Sequence, residues 1–243
     1  MESELKTPFV IITLMFWEAL MDIIFPPQCL ICEKDVLSTK IVCESCFSRI
    51  DINDTFFCGK CGSRMAMNKR LCHFDFPYIL GAAGSYKNEV LKNLIKGMKF
   101  RSIKMAADPL SELLIRYARE IDFSWQNFLV IPMPLSKQRE RRRGFNQSEL
   151  IAEGFAKNIG LPFENNILVR HKNSTPQSEL KNWENREENV RDCFSVKTPE
   201  IIKNRNVVLI DDVLTSGSTM LSAANILKEA GVKRLVALVL AKA

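Results

Sequence analysis

The chain has 243 residues, 47% of them hydrophobic, enough to bury one sizeable core with a smaller unit beside it. Its formal net charge is +6, but residues 137–143 hold five cations (Lys137, Arg139, Arg141, Arg142, Arg143) against Glu140, five minus one, which leaves +2 for everything else. That placement excludes a surface that is basic all over and leaves a single strongly basic segment.

Taken in order, residues 8–25 (PFVIITLMFWEALMDIIF) are strongly apolar but carry Glu18 and Asp22. A membrane-spanning helix needs about 20 predominantly apolar residues, and two acids in the second half argue against one. A signal peptide is disfavoured too, because Glu2 and Glu4 stand where a basic segment should be and no small-residue cleavage site follows. The segment reads as a helix over residues 1–25 that packs on the protein or a partner. Peripheral contact with a membrane is the alternative, in an otherwise cytoplasmic protein.

Pro26 and Pro27 end that helix, and a cysteine-rich region follows over residues 26–76. Seven of the eight cysteines lie between Cys29 and Cys72, and six form three C-x-x-C pairs. Without a secretory signal, thiolate ligation of Zn²⁺ is favoured over disulfides. Cys29, Cys32, Cys43 and Cys46 make a well-specified Cys₄ site, which would carry about −2 and lower the net charge to roughly +4. A second site would draw on Cys58, Cys61 and Cys72, with either His73 or Asp75 as fourth ligand, or stay empty. A closed Cys₄ shell has no open position, so the region is expected to be a scaffold or docking surface.

From residue 77 to 243 the pattern becomes α/β. Residues 79–86 read as a strand, 88–98 as an amphipathic helix burying Val90, Leu91, Leu94 and Ile95, and 106–121 as a longer helix with Leu110, Leu113, Leu114 and Tyr117 inward. Residues 128–132 and 235–240 are wholly apolar strands, and the alternation predicts a mostly parallel sheet with helices on both faces. The loop after the strand 128–132 carries the basic segment, where arginine suits a diphosphate through its two-pronged hydrogen bonding. Asn146 or Ser148 is expected to cap the helix that follows. Residues 169–190 are polar without apolar period and read as a flap over the crevice or a solvated connector. His171 reads as a surface histidine and Cys193 as a core residue.

The strand 207–210 runs into Asp211 and Asp212, then into Thr215, Ser216, Gly217, Ser218 and Thr219 at the start of a helix expected over about residues 220–230. Unpaired N–H groups, the helix dipole and hydroxyls at such a turn hold a phosphate, and Gly217 permits close approach of the backbone. Two carboxylates cannot grip that phosphate. They suit sugar hydroxyls or a divalent cation, and the pair of sockets describes a ribose 5-phosphate site.

The string LIDDVLTSGST (209–219) closely resembles the phosphoribosyl diphosphate (PRPP) signature of type I phosphoribosyltransferases. Together with RRGFNQSEL (142–150), the cysteine ribbon, Gln177, Arg186 and Asn189, it resembles the ComF family, whose members are associated with DNA uptake in natural competence. The resemblance implies a type I phosphoribosyltransferase-like domain over 77–243 and binding of PRPP or a related ribose 5-phosphate with Mg²⁺. Thr215, Ser216, Gly217, Ser218 and Thr219 would take the 5-phosphate, Asp211 and Asp212 the ribose hydroxyls, and Lys137, Arg139, Arg142 and Arg143 the diphosphate. The chain departs from the pattern at Asp75, where the family offers another cysteine, and at Thr215, where purine-salvage relatives carry an aspartate that serves as general base. Two readings follow: a Mg²⁺-dependent phosphoribosyltransferase with an unknown acceptor, or a non-catalytic module that binds single-stranded DNA or competence proteins, with Phe145 stacking a base.

Overall fold

The computed structural model describes residues 25–65, 73–171 and 193–243. The expected N-terminal helix, Cys72, and most of 169–190 with Gln177, Arg186 and Asn189 therefore lie outside the described residues. Among the described residues no helix is long and apolar enough to cross a membrane.

Packing divides the chain between Arg49 and Ile50. In the first unit, the Cys29 amide donates to the Lys34 carbonyl at 2.8 Å and the Glu33 amide returns to the Cys29 carbonyl at 2.9 Å, closing a tight knuckle. The helix α1 (Glu44–Phe47) begins directly after Cys43, so Cys43 and Cys46 lie three residues apart on one turn and face the same way.

The second unit is built on a six-stranded sheet of order β2-β1-β3-β8-β7-β4. In chain order its elements are β1 (Phe56–Cys58), β2 (Arg64–Met65), β3 (Ile79–Ser85), α2 (Glu89–Phe100), α3 (Ala107–Glu120), β4 (Phe128–Pro132), α4 (Lys137–Arg143) and α5 (Gln147–Ile159). They continue with β5 (Leu168–Arg170), β6 (Phe194–Val196), α6 (Pro199–Ile202), β7 (Asn206–Leu214), α7 (Ser218–Glu229) and β8 (Arg234–Lys242). Strands β3, β8, β7 and β4 are parallel. All five residues of β4 are buried, as expected where both faces of a strand are covered.

Alternate residues of each strand face opposite layers. Leu80, Leu129, Leu209 and Ala237 belong to the core shared with Met220, Ala223 and Leu227 of α7. On the other face, a Cβ added at Gly81 would meet Leu238 at 2.9 Å and Tyr117 of α3 at 3.1 Å, so this glycine is needed for close approach of helix and sheet. Asn88 caps α2 by accepting from the Leu91 amide at 3.1 Å, and Val90, Leu91, Leu94 and Ile95 are buried as their spacing predicts.

The division between Arg49 and Ile50 falls inside the cysteine-rich region 26–76. The reason is backbone pairing. Cys58 ends β1, which pairs antiparallel with β3 through Phe56↔Gly81, Phe57↔Leu80 and Cys58↔Ile79, so the Cys58–Cys61 knuckle caps a hairpin of the main sheet.

Candidate functional site

The last residue pair between β4 and β7 is Pro132↔Ile210, after which β4 ends and β7 runs on through Asp211 and Asp212 to Leu214. The acids are thus part of the strand, not of a loop after it. They lose their neighbour on the β4 side just where the chain turns off into α4 and α5, and this opens a cleft of about 430 Å³ at the carboxyl ends of the parallel strands.

Hydrogen bonds from the start of α5 fix the pair. Asn146 caps α5 by accepting from the Ser148 amide at 3.1 Å, and its Nδ2 donates to the Met133 carbonyl at 3.1 Å. The two residues behind the cap then face the acids: Gln147 Nε2 donates to Asp212 Oδ2 at 2.9 Å, and Ser148 Oγ to Asp211 Oδ1 at 3.0 Å. The positive end of the α5 dipole adds to this hold on negative charge. Lys99, in the last turn of α2, donates from Nζ to Asp212 Oδ1 at 2.8 Å.

Burial and the adjacent Asp212 carboxylate push Asp211 up to about 7, against Lys99 and the hydrogen bonds, which pull it down. A carboxyl held higher in the fold than in the unfolded chain contributes stability while protonated and loses it as pH rises from the ordinary carboxylate range to about 7. We therefore expect the stability of wild type relative to Asp211→Asn to fall between about pH 4 and 7, measured by urea unfolding. A difference that stays flat over this interval would show that the acid titrates normally.

Next to the acids, Gly217 adopts φ 77 and precedes α7, whose first turn has no side-chain cap. Thr215, Ser216, Ser218 and Thr219 line the cleft with Gly217, so all five predicted phosphate-loop residues come together with both acids.

The basic segment is a helix rather than a loop, because Ser136 accepts from the Arg139 amide to start it and Gly144 at φ 79 stops it. Helical spacing then decides which cations reach the cleft: Arg139 and Arg143, four residues apart, line it. Lys137 and Arg142, offered by the sequence for the same role, are not among the lining residues. Nε and Nη1 of Arg143 are buried without a hydrogen-bond partner among the described residues. Phe145 is 8% exposed and lies under the Lys104 ammonium, so it is a packing residue and not the stacking platform that its neighbours suggested.

Elsewhere, ligand atoms of Cys29, Cys32, Cys43 and Cys46 all lie within 4.8 Å of one another. The Cys32 and Cys43 sulfurs are 3.7 Å apart, against about 3.8 Å for the edge of a tetrahedral Zn–S₄ site with bonds of about 2.3 Å. Burial and the neighbouring sulfurs raise the Cys46 thiol, while hydrogen bonds from Ser45 and the Cys46 backbone lower Cys43. Four thiolates so close repel one another unless a cation lies between them, and the residues fit Zn²⁺. A second group joins Cys58, Cys61 and His73, with His73 Nδ1 3.4 Å from Cys58 Sγ. Asp75, the other fourth ligand considered, is not in this group, and Cys72 lies outside the described residues.

Residues 20–74 match the family model for a double zinc ribbon domain, and residues 142–243 that for a phosphoribosyl transferase domain. The chain is 29% identical over 232 residues to competence protein F of Haemophilus influenzae, covering 89% of this chain and 97% of the relative. It is 27% identical to competence protein ComFC of Bacillus subtilis, covering 78% and 79%, and 26% identical to DNA utilization protein YhgH of Escherichia coli, covering 84% and 85%. Over most of its length the chain is similar to ComF-type competence proteins.

The fold explains what the residues of the RRGFNQSEL string do. Gly144 ends α4, Asn146 starts α5, and Gln147 and Ser148 hold the acid pair. Sequence reasoning passed over Gln147, Lys99, Tyr86 and Arg170, which line the cleft, and read Ser148 only as a possible helix cap, whereas it bonds to Asp211. One signal was available: polar residues directly behind a helix cap. Arg170 is only 6% exposed, with its guanidinium 5.4 Å from the centre of the Phe194 ring.

Proposed function

We propose that the cleft binds PRPP with Mg²⁺, and that this protein acts on phosphoribosyl compounds in the handling of DNA taken up by the cell. The names of its relatives, competence protein and DNA utilization protein, support the setting. One observation carries the ligand. The buried Nε and Nη1 of Arg143 have no hydrogen-bond partner among the described residues, and this arginine lines the cleft that also holds the uncapped hydroxyl turn and the paired acids. An ionised group left buried without partners destabilises a fold, and a diphosphate is the ligand that would satisfy it.

In this reading Thr215 to Thr219 take the 5-phosphate, Asp211 and Asp212 face the ribose, and Arg139, Arg143 and Arg170 surround the diphosphate. Two carboxylates supply the hard oxygen ligands that Mg²⁺ requires, and the metal would neutralise charge on the diphosphate when bound. In a transfer, the bond from the anomeric carbon to diphosphate breaks as an acceptor attacks. The arginines then carry the negative charge that grows on the leaving oxygen. Thr215 offers no carboxylate to deprotonate the acceptor, so the acceptor is one that loses its proton to solvent or to another group.

Calorimetric titration with PRPP in Mg²⁺ tests the ligand, and release of diphosphate across candidate acceptors, single-stranded DNA among them, tests turnover. Arg143→Met gives the sharper readout, because its two effects have opposite signs. PRPP affinity should fall about 10- to 100-fold for the loss of one charge-assisted bidentate contact, while Tm holds or rises as two buried N–H groups without a hydrogen-bond partner among the described residues are removed. Equal PRPP affinity in wild type and variant would remove this arginine from the site. Absence of PRPP binding by the wild type in Mg²⁺ would remove the proposal.

A further inference from the structure

Asp212 is held at both carboxylate oxygens. Its Oδ1 accepts from Lys99 at 2.8 Å and its Oδ2 from Gln147 at 2.9 Å, so both oxygens are engaged by donors from different helices. The carboxylate side chain is 8% exposed and the lysine 20%, which makes this pair far better shielded than Arg64–Asp54, Lys92–Glu89 or Arg116–Glu112. A divalent cation brought to Asp212 meets the Lys99 ammonium on the same carboxylate, so the two cations compete for its charge. Lys99 lines the same cleft as Arg139 and Arg143, on a flexible four-carbon stem.

The geometry points to Lys99 as the specificity determinant of the cleft: a positioning residue that neutralises Asp212 in the empty site and passes to the diphosphate when a diphosphate-bearing sugar enters. This rests on the PRPP reading above. The exchange is balanced for such a ligand, since the ammonium leaves one anion for another and Asp212 is freed at the same moment. For a ribose 5-phosphate without diphosphate the exchange is not balanced. The displaced ammonium would stay in a poorly hydrated cleft beside two arginines, or Lys99 would stay on Asp212 and compete for its charge. The cleft thereby favours a sugar phosphate that carries a diphosphate over ribose 5-phosphate, with Lys99 adding to the arginines that line it.

The test compares wild type, Lys99→Gln and Lys99→Arg in the full chain. Glutamine keeps a donor toward Asp212 without the charge, and arginine keeps the charge. Affinities for PRPP and ribose 5-phosphate are measured by calorimetry in Mg²⁺, and Mn²⁺ binding alone by electron paramagnetic resonance. In Lys99→Gln the ratio of PRPP to ribose 5-phosphate affinity should fall at least tenfold. Mn²⁺ should bind at least tenfold more tightly, because the acid pair has lost its internal cation, and Lys99→Arg should restore both toward wild type. The inference is overturned if Mn²⁺ affinity is unchanged in Lys99→Gln, or if both sugar phosphates shift by the same factor, as they would for a merely structural lysine. Should the wild type bind Mn²⁺ but neither sugar phosphate, the PRPP reading fails by itself and the Mn²⁺ comparison still decides whether Lys99 serves as the internal cation.

Discussion

The double variant Asp211→Asn/Asp212→Asn is expected to weaken PRPP binding in Mg²⁺ by about 100-fold or more, from the loss of two charge-assisted hydrogen bonds at about 1.5–3 kcal/mol each. The fold should survive, because two effects on stability oppose each other. Neutralising the pair removes the burial and repulsion that raise Asp211, and it also removes the ion pair between Lys99 and Asp212. Asparagine keeps an oxygen to accept from Ser148, the donor that anchors Asp211 to the start of α5. Calorimetry on a variant that still unfolds cooperatively is the measurement, and unchanged affinity would remove the acids from the ligand's surroundings.

Cys29→Ser is expected to lower bound zinc by one equivalent and to abolish protection from hydrogen exchange across residues 25–49. Within that stretch only Cys29, Val42, Cys46 and Phe47 are buried. So few apolar side chains cannot offset the entropy of ordering the segment, whereas structural Zn²⁺ contributes an apparent free energy of about 10–16 kcal/mol in zinc-finger peptides. Elemental analysis with exchange mass spectrometry reads both effects, and unchanged zinc content would exclude Cys29 as a ligand. A chelator should act as the substitution does, by withdrawing the same source of order.

Where function was legible in the sequence, the groups that act together are also close along the chain. Asp211 to Thr219 span a strand end, a turn and a helix start, so their residue types and spacing suffice to place them around one crevice. The C-x-x-C pairs are legible for the same reason, since a knuckle fits within a few residues. The basic segment was read only in part. Its composition suggests an anion, but which of its cations reaches one depends on whether residues 137–143 are a loop or a helix. Ser136 and Gly144 make them a helix, which turns Arg139 and Arg143 to the cleft. Phe145 shows the converse error, because an aromatic beside five cations invited a role in stacking and packing had already claimed its ring.

By itself the sequence determined the α/β class, the hydroxyl turn beside two acids and the cysteine knuckles, because each is set by local spacing and by the period of apolar residues. Only the tertiary structure decided that Lys99, 113 residues away along the chain, sits on Asp212, that Gln147 and Ser148 hold the acid pair, and that the Cys58–Cys61 hairpin joins the main sheet. These are contacts between distant segments, fixed by which strand ends first and which helix packs beside it, and no short-range pattern of residues encodes them.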